Sequence, residues 1–140
     1  TFVLIMSLLT ACRKDVVASV EEMNIKSIKN EKLRSLVDSW QQEDGAYLAN
    51  NTAIGGAYYL FLNASTVEKG EKPTYFQSLS VGFESNVMHI YYVEKETGDT
   101  KNNRTKILYR IPMESTPDTV KIYKNGEEVY FNNIGVIEEK

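Results

Sequence analysis

The sequence predicts a mainly β domain of the α+β class: one N-terminal amphipathic helix packed on an antiparallel sheet of about six strands, folded as a sandwich or a partly open barrel. Three observations predict it. Leu33, Leu36, Val37 and Trp40 recur at helical spacing, the apolar pattern changes to period two after Gly45, and Asn125-Gly126 stands between two strand-like runs.

The chain opens on an apolar, uncharged run, TFVLIMSLLTA, from Thr1 to Ala11. As a helix rising about 1.5 Å per residue it would reach roughly 16 Å, against about 30 Å of hydrocarbon in a bilayer. It is too short to span, and its character is that of the apolar core of a signal peptide. It ends in Leu9, Thr10, Ala11 and Cys12, an order that resembles the bacterial lipobox: an aliphatic residue, a small residue, Ala or Gly, then Cys. The resemblance implies that Leu9, Thr10 and Ala11 are read by the signal peptidase and that the chain is cut before Cys12. It further implies that the Cys12 sulfur carries a diacylglyceryl group as a thioether, the chemistry for which a thiol is the suitable nucleophile. Two or three acyl chains at about 0.8 kcal/mol per buried methylene give a stable anchor where one is marginal. The expected location is then the extracytoplasmic face of a cell membrane, on a Gram-positive surface or in a Gram-negative periplasm, with the membrane bound through lipid on Cys12. The alternative is a buried N-terminal strand or helix that ends in a core cysteine.

With 140 residues, 25% charged and 42% hydrophobic, the chain suits one ordinary globular domain. The expected division is residues 1–11 as signal peptide, 12–21 as lipidated cysteine and spacer, and 22–140 as a single β-rich domain. A lone cysteine excludes an intrachain disulfide framework. A formal net charge of −3 provides no basic field for a phosphate backbone, so nucleic acid is not an expected partner.

Met23, Ile25 and Ile28 are the first residues expected to touch the domain. Asn30 suits an N-cap and Glu31 the positive end of a helix, which runs through Trp40 and closes before Gly45. AYYLFLN, Ala57 to Asn63, is apolar on both faces, as in a central strand covered on both sides. Gln77, Leu79, Val81 and Phe83 alternate with Ser78 and Ser80, which predicts a strand with one wet face. Glu84, Ser85 and Asn86 predict a tight turn into a second strand, Val87 to Val93. Thr97 to Arg104 reads as an exposed loop, Ile107 to Ile111 as a strand stopped by Pro112, and Val120 to Phe131 as a hairpin with a type I′ turn.

No catalytic constellation emerges from the spacing. His89, the single histidine, alternates within a strand and reads as a half-exposed strand residue; no G-x-S-x-G elbow, phosphate loop or His/Cys metal cluster is present. No metal and no cofactor is therefore expected. Tyr58-Tyr59 and Tyr91-Tyr92 each send one ring to either face of a strand. Packing is the plain reading of these rings. The sharper one makes Tyr59 and Tyr92 a binding surface for a protein or a glycan.

Several segments together resemble the PrcB-type lipoprotein domain, named for a subunit of a bacterial surface protease complex: KLRSLVDSW, YYLFLN, a loop ending in EKPT, FQSLSVGF, VMHIYYVEKE, and YRIP before a final hairpin. The resemblance implies a non-catalytic subunit that helps a protease or another exported enzyme assemble. The leading expectation is thus a lipid-anchored, non-enzymatic interaction module with a protein partner in the cell envelope. A lipocalin-like barrel with a cavity lined by Tyr58, Phe61 and Tyr91 is the second, and a cell-envelope enzyme the third.

Overall fold

AYYLFLN is the centre of the molecule. In the computed structural model, which describes residues 19–53, 55–66, 70–97 and 104–138, β3 (Tyr58–Asn63) is buried at every position. It is the middle strand of a five-stranded sheet that also holds β1 (Glu21–Met23), β2 (Gly45–Asn51), β6 (Lys106–Ile111) and β9 (Asn133–Ile137), in the order β1-β6-β3-β2-β9. Successive strand residues point to opposite faces, so a strand buried throughout must be covered on both sides. Helix α1 (Glu31–Trp40) covers one side, where Leu33, Val37 and Trp40 pack with Tyr47, Tyr59, Phe61, Leu108 and Ile137. A second sheet covers the other, with order β4-β5-β7-β8: β4 (Thr74–Glu84), β5 (Val87–Glu96), β7 (Thr119–Lys124) and β8 (Glu127–Val129). Tyr58, Leu60 and Leu62 there meet Phe76, Val81, Ile90 and Ile122.

The mainly β architecture and the helix match expectation, but the sheet does not. Among the described residues nine strands form two sheets rather than about six forming one, and these sheets do not close into a barrel. Two pairings, β2 with β9 and β5 with β7, are parallel. The reason is chain crossing. Between β5 and β7 the chain runs to the five-stranded sheet as β6 and comes back, so β7 returns beside β5 in the same direction. Such a crossover leaves no mark on the local apolar pattern, which encodes the faces of a strand but not its neighbour. The chain enters the sheet at Glu21, in register with Arg110 of β6, and Ile28 is buried, with Met23 and Ile25 packed against the same helix-side core. Residues 1–18, with Leu9, Thr10, Ala11 and Cys12, lie outside the described residues.

Local details follow from side-chain chemistry. The Asn30 carboxamide accepts from Leu33 N at 2.9 Å and caps α1. Gln77 was expected in line with Leu79, yet it is exposed, because the register of β4 on β5 slips between Phe76 and Ser78. This bulge lets Phe76 and Leu79 both turn inward although they are three residues apart. Both two-residue turns carry positive φ at both centres, 52° and 65° at Ser85 and Asn86, 52° and 87° at Asn125 and Gly126. That is the type I′ geometry whose twist suits a hairpin. Asn125 also ties its turn to β5, accepting from Glu94 N at 3.0 Å and donating to Glu94 O at 3.1 Å.

The buried amide of Asn63 joins α1 to β3. Its Nδ2 donates to Trp40 O (3.4 Å) and Glu43 O (3.1 Å), and its Oδ1 accepts from Ser65 N (3.0 Å) and Ser65 Oγ (2.6 Å). At the same end of the helix, Trp40 Nε1 donates to Asn133 Oδ1 at 3.0 Å. Gly135 of β9 lies so close to the helix that a Cβ would sit 2.7 Å from Leu36 Cδ1. A side chain there would have to displace the Leu36 side chain.

Asn63→Ala strands the Trp40 and Glu43 carbonyls, and the expected loss is about 1–3 kcal/mol of stability, read from urea unfolding midpoints. An unchanged midpoint would show that water replaces the amide at no cost. A second expectation concerns alkali. Burial, with the charge of Glu94, raises the Tyr92 phenol; burial, with Glu22, raises that of Tyr109. These phenols stay protonated in the folded chain where the unfolded chain has ionised them. Their contribution is therefore intact below about pH 10, the ordinary tyrosine value, and is lost as pH rises above it. Unfolding midpoints taken across that range should fall with pH, and fall less steeply in Tyr92→Phe.

Candidate functional site

Alternation decides which tyrosines a partner can reach. Along β5, Met88, Ile90 and Tyr92 turn into the sandwich core, so Val87, His89, Tyr91 and Val93 turn outward. Tyr91 is 46% exposed, whereas Tyr92 is 6% exposed and meets Phe76 edge-on at 5.8 Å. Tyr59 is likewise 6% exposed and belongs to the core beneath α1. The reading of Tyr59 and Tyr92 as a binding surface is therefore corrected. β3 has no open face, and in the β5 pair the outward ring is Tyr91.

The outer face of the four-stranded sheet instead gathers His89, Tyr91 and Tyr123. Tyr91 and Tyr123 are register partners across the parallel β5–β7 pair, and this spacing stacks their rings at 4.7 Å between centroids with planes 13° apart. His89, two residues before Tyr91 on the same face, lies 5.8 Å from the Tyr123 ring at 25°. Its Nδ1 is 2.9 Å from Tyr123 Oη. In the Nε2–H tautomer the phenol donates to Nδ1; in the Nδ1–H tautomer the ring donates to the phenol oxygen. Partial burial and the nearby Glu128 carboxylate raise the Tyr123 phenol above the ordinary tyrosine value.

The surroundings of the rings are graded. On β4 the register partners are small: Gly82 opposite His89, Ser80 opposite Tyr91, and Ser78 opposite Val93. A Cβ placed on Gly82 would have nothing within 4 Å, which leaves a low floor beside the rings. On the other side stand Lys121, opposite His89, and Glu128 of β8, opposite Tyr123. The result is a mixed surface: rigid aromatic rings carrying hydroxyls, a small polar floor on one flank and opposite charges on the other. Aromatic rings of this kind supply contact area at little cost in side-chain entropy.

His89 is half-buried within a strand, and its neighbours here are a phenol, a glycine and a lysine, which do not form a serine–carboxylate relay. Among the described residues no three His, Cys, Asp or Glu side chains come together to hold a metal ion. Tyr58, Phe61 and Tyr91 do not line one cavity: they lie in the sandwich core, under the helix, and on the outer face. The lipocalin-like barrel is thereby set aside. Among the described residues no helix is long and apolar enough to cross a membrane. In comparisons with protein-family models, curated proteins and solved structures, nothing matches this chain.

Tyr123 was missed as a site residue because its partner lies across a parallel pair. The alternation of Thr119, Lys121 and Tyr123 against Val120 and Ile122 already puts it on a face with polar neighbours. Substitution by serine separates rings that pack from rings that display. Tyr59→Ser and Tyr92→Ser should each cost about 3–5 kcal/mol, while Tyr91→Ser and Tyr123→Ser should each cost about 1 kcal/mol or less. Thermal and urea melts of the four variants give the comparison, and equal losses in both pairs would contradict this assignment.

Proposed function

We propose that this chain is a bacterial lipoprotein, cut before Cys12 and held by lipid on that sulfur at the extracytoplasmic face of a membrane. Its domain is a non-enzymatic module that binds a protein partner in the cell envelope, with the outer face of the four-stranded sheet as the contact surface. The observation that carries the binding surface is the stacked ring cluster of Tyr91, Tyr123 and His89, held on an uncovered sheet face. Tyrosines placed on a rigid sheet are the kind of residue on which binding energy concentrates. Leu9, Thr10, Ala11 and Cys12 support the anchor, and the PrcB-type resemblance makes an assembling exported enzyme, such as a protease complex, the partner class.

The test joins two measurements on protein from its native cell. Mass spectrometry should find Cys12 as the N-terminal residue with acyl mass added; an unmodified thiol with residues 1–11 still attached would reject the anchor. Crosslinking on intact cells should join the wild-type chain to a defined envelope protein. The Tyr91→Ser/Tyr123→Ser double variant should lose that adduct while melting as the wild type does. An adduct that survives both substitutions would place the contact elsewhere.

A further inference from the structure

We propose that a hollow at one end of the sandwich is a second binding site, for a protein segment that carries a Lys or Arg beside a bulky apolar side chain. It does not depend on the ring face. The hollow lies between the β4–β5 turn and the loop from β6 to β7, with a volume of about 460 Å³, within the range of sites that enclose small groups. Its apolar part is an extension of the core: Met113 is 8% exposed and belongs to the sandwich cluster, and Phe83 packs against the same cluster. Pro112 and Pro117 add apolar walls.

Among the described residues that line the hollow, Ser19 included, the charged side chains are Glu84 and Glu114, both at exposed positions. Among the described residues neither carboxylate enters an ion pair. An apolar floor beneath two carboxylates suits a side chain that is itself divided this way. The methylene stem of a Lys or Arg can lie along Phe83 and the prolines while its cationic head reaches the rim, and the neighbouring apolar side chain fills the space over Met113.

The walls are set before any ligand arrives. Asp118 N donates to Asn86 O at 2.8 Å and ties the β6–β7 loop to the turn. Pro112 and Pro117 restrict the loop on either side of Met113, and Ser85 and Asn86 form the two-residue turn opposite. A pre-formed site avoids the cost of ordering its own loops on binding.

The full-length chain can be titrated with three blocked dipeptides, acetyl-Leu-Lys-amide, acetyl-Leu-Gln-amide and acetyl-Leu-Glu-amide, while NMR follows the Met113 methyl and the Ser85 and Asn86 amides. The Lys peptide should move these resonances saturably, the Gln peptide should bind about fivefold more weakly, and the Glu peptide more weakly still. Added salt should narrow the differences. Glu84→Gln/Glu114→Gln, at exposed positions, should melt as wild type and bind the Lys and Gln peptides equally. Tyr91→Ser/Tyr123→Ser should leave the titration unchanged. The proposal is overturned if no peptide moves the Met113 methyl, if the Lys and Glu peptides bind alike, or if the ring-face variant abolishes the shifts.

Discussion

A strand that is apolar on both faces must be covered on both faces, and this constraint on β3 organises the molecule. Tyr59 and Phe61 require α1 on one side; Tyr58, Leu60 and Leu62 require the second sheet on the other. The three-layer arrangement follows from that requirement. So do the features that hold the layers in place: the Asn63 amide bridging helix end and strand, the indole of Trp40 bonded to Asn133, and a glycine at position 135 that leaves room for the Leu36 side chain. Each removes a polar or steric conflict that two-sided burial would otherwise create.

Among the described residues the same layering covers the four-stranded sheet on its inner side only. Its outer face meets solvent, and there the parallel pairing of β5 with β7 sets Tyr91 beside Tyr123. The ring cluster is thus a consequence of topology. In an antiparallel meander β6, not β7, would lie next to β5, and Tyr123 would stand apart from Tyr91. The charges around it belong to different strands, Lys121 on β7 and Glu128 on β8. No single segment of the chain contains the surface.

The end of the sandwich has a different character. Where β4 turns into β5 and the loop after β6 crosses over, the core opens through Phe83 and Met113 beneath two carboxylates. Ring face and hollow therefore differ in chemistry: hydroxyl-bearing aromatics on one surface, and two carboxylates over an apolar floor at the other.

Local sequence sufficed for the elements. Helical spacing from Leu33 to Trp40 with Asn30 as cap, two-sided apolarity in Tyr58–Leu62, and Asn125-Gly126 at a hairpin each depend on forces acting over a few residues, and each is present in the fold. It also sufficed to make His89 a strand residue of middling exposure. It does not say which strands are neighbours, because hydrogen-bonded partners come from any part of the chain. For that reason the local pattern alone gives about six strands in one antiparallel sheet. For the same reason it points to Tyr59 and Tyr92, whereas the exposed cluster is Tyr91 with Tyr123. Burial of a ring is settled by what packs across from it, and that was decided by the crossing of the chain between two sheets.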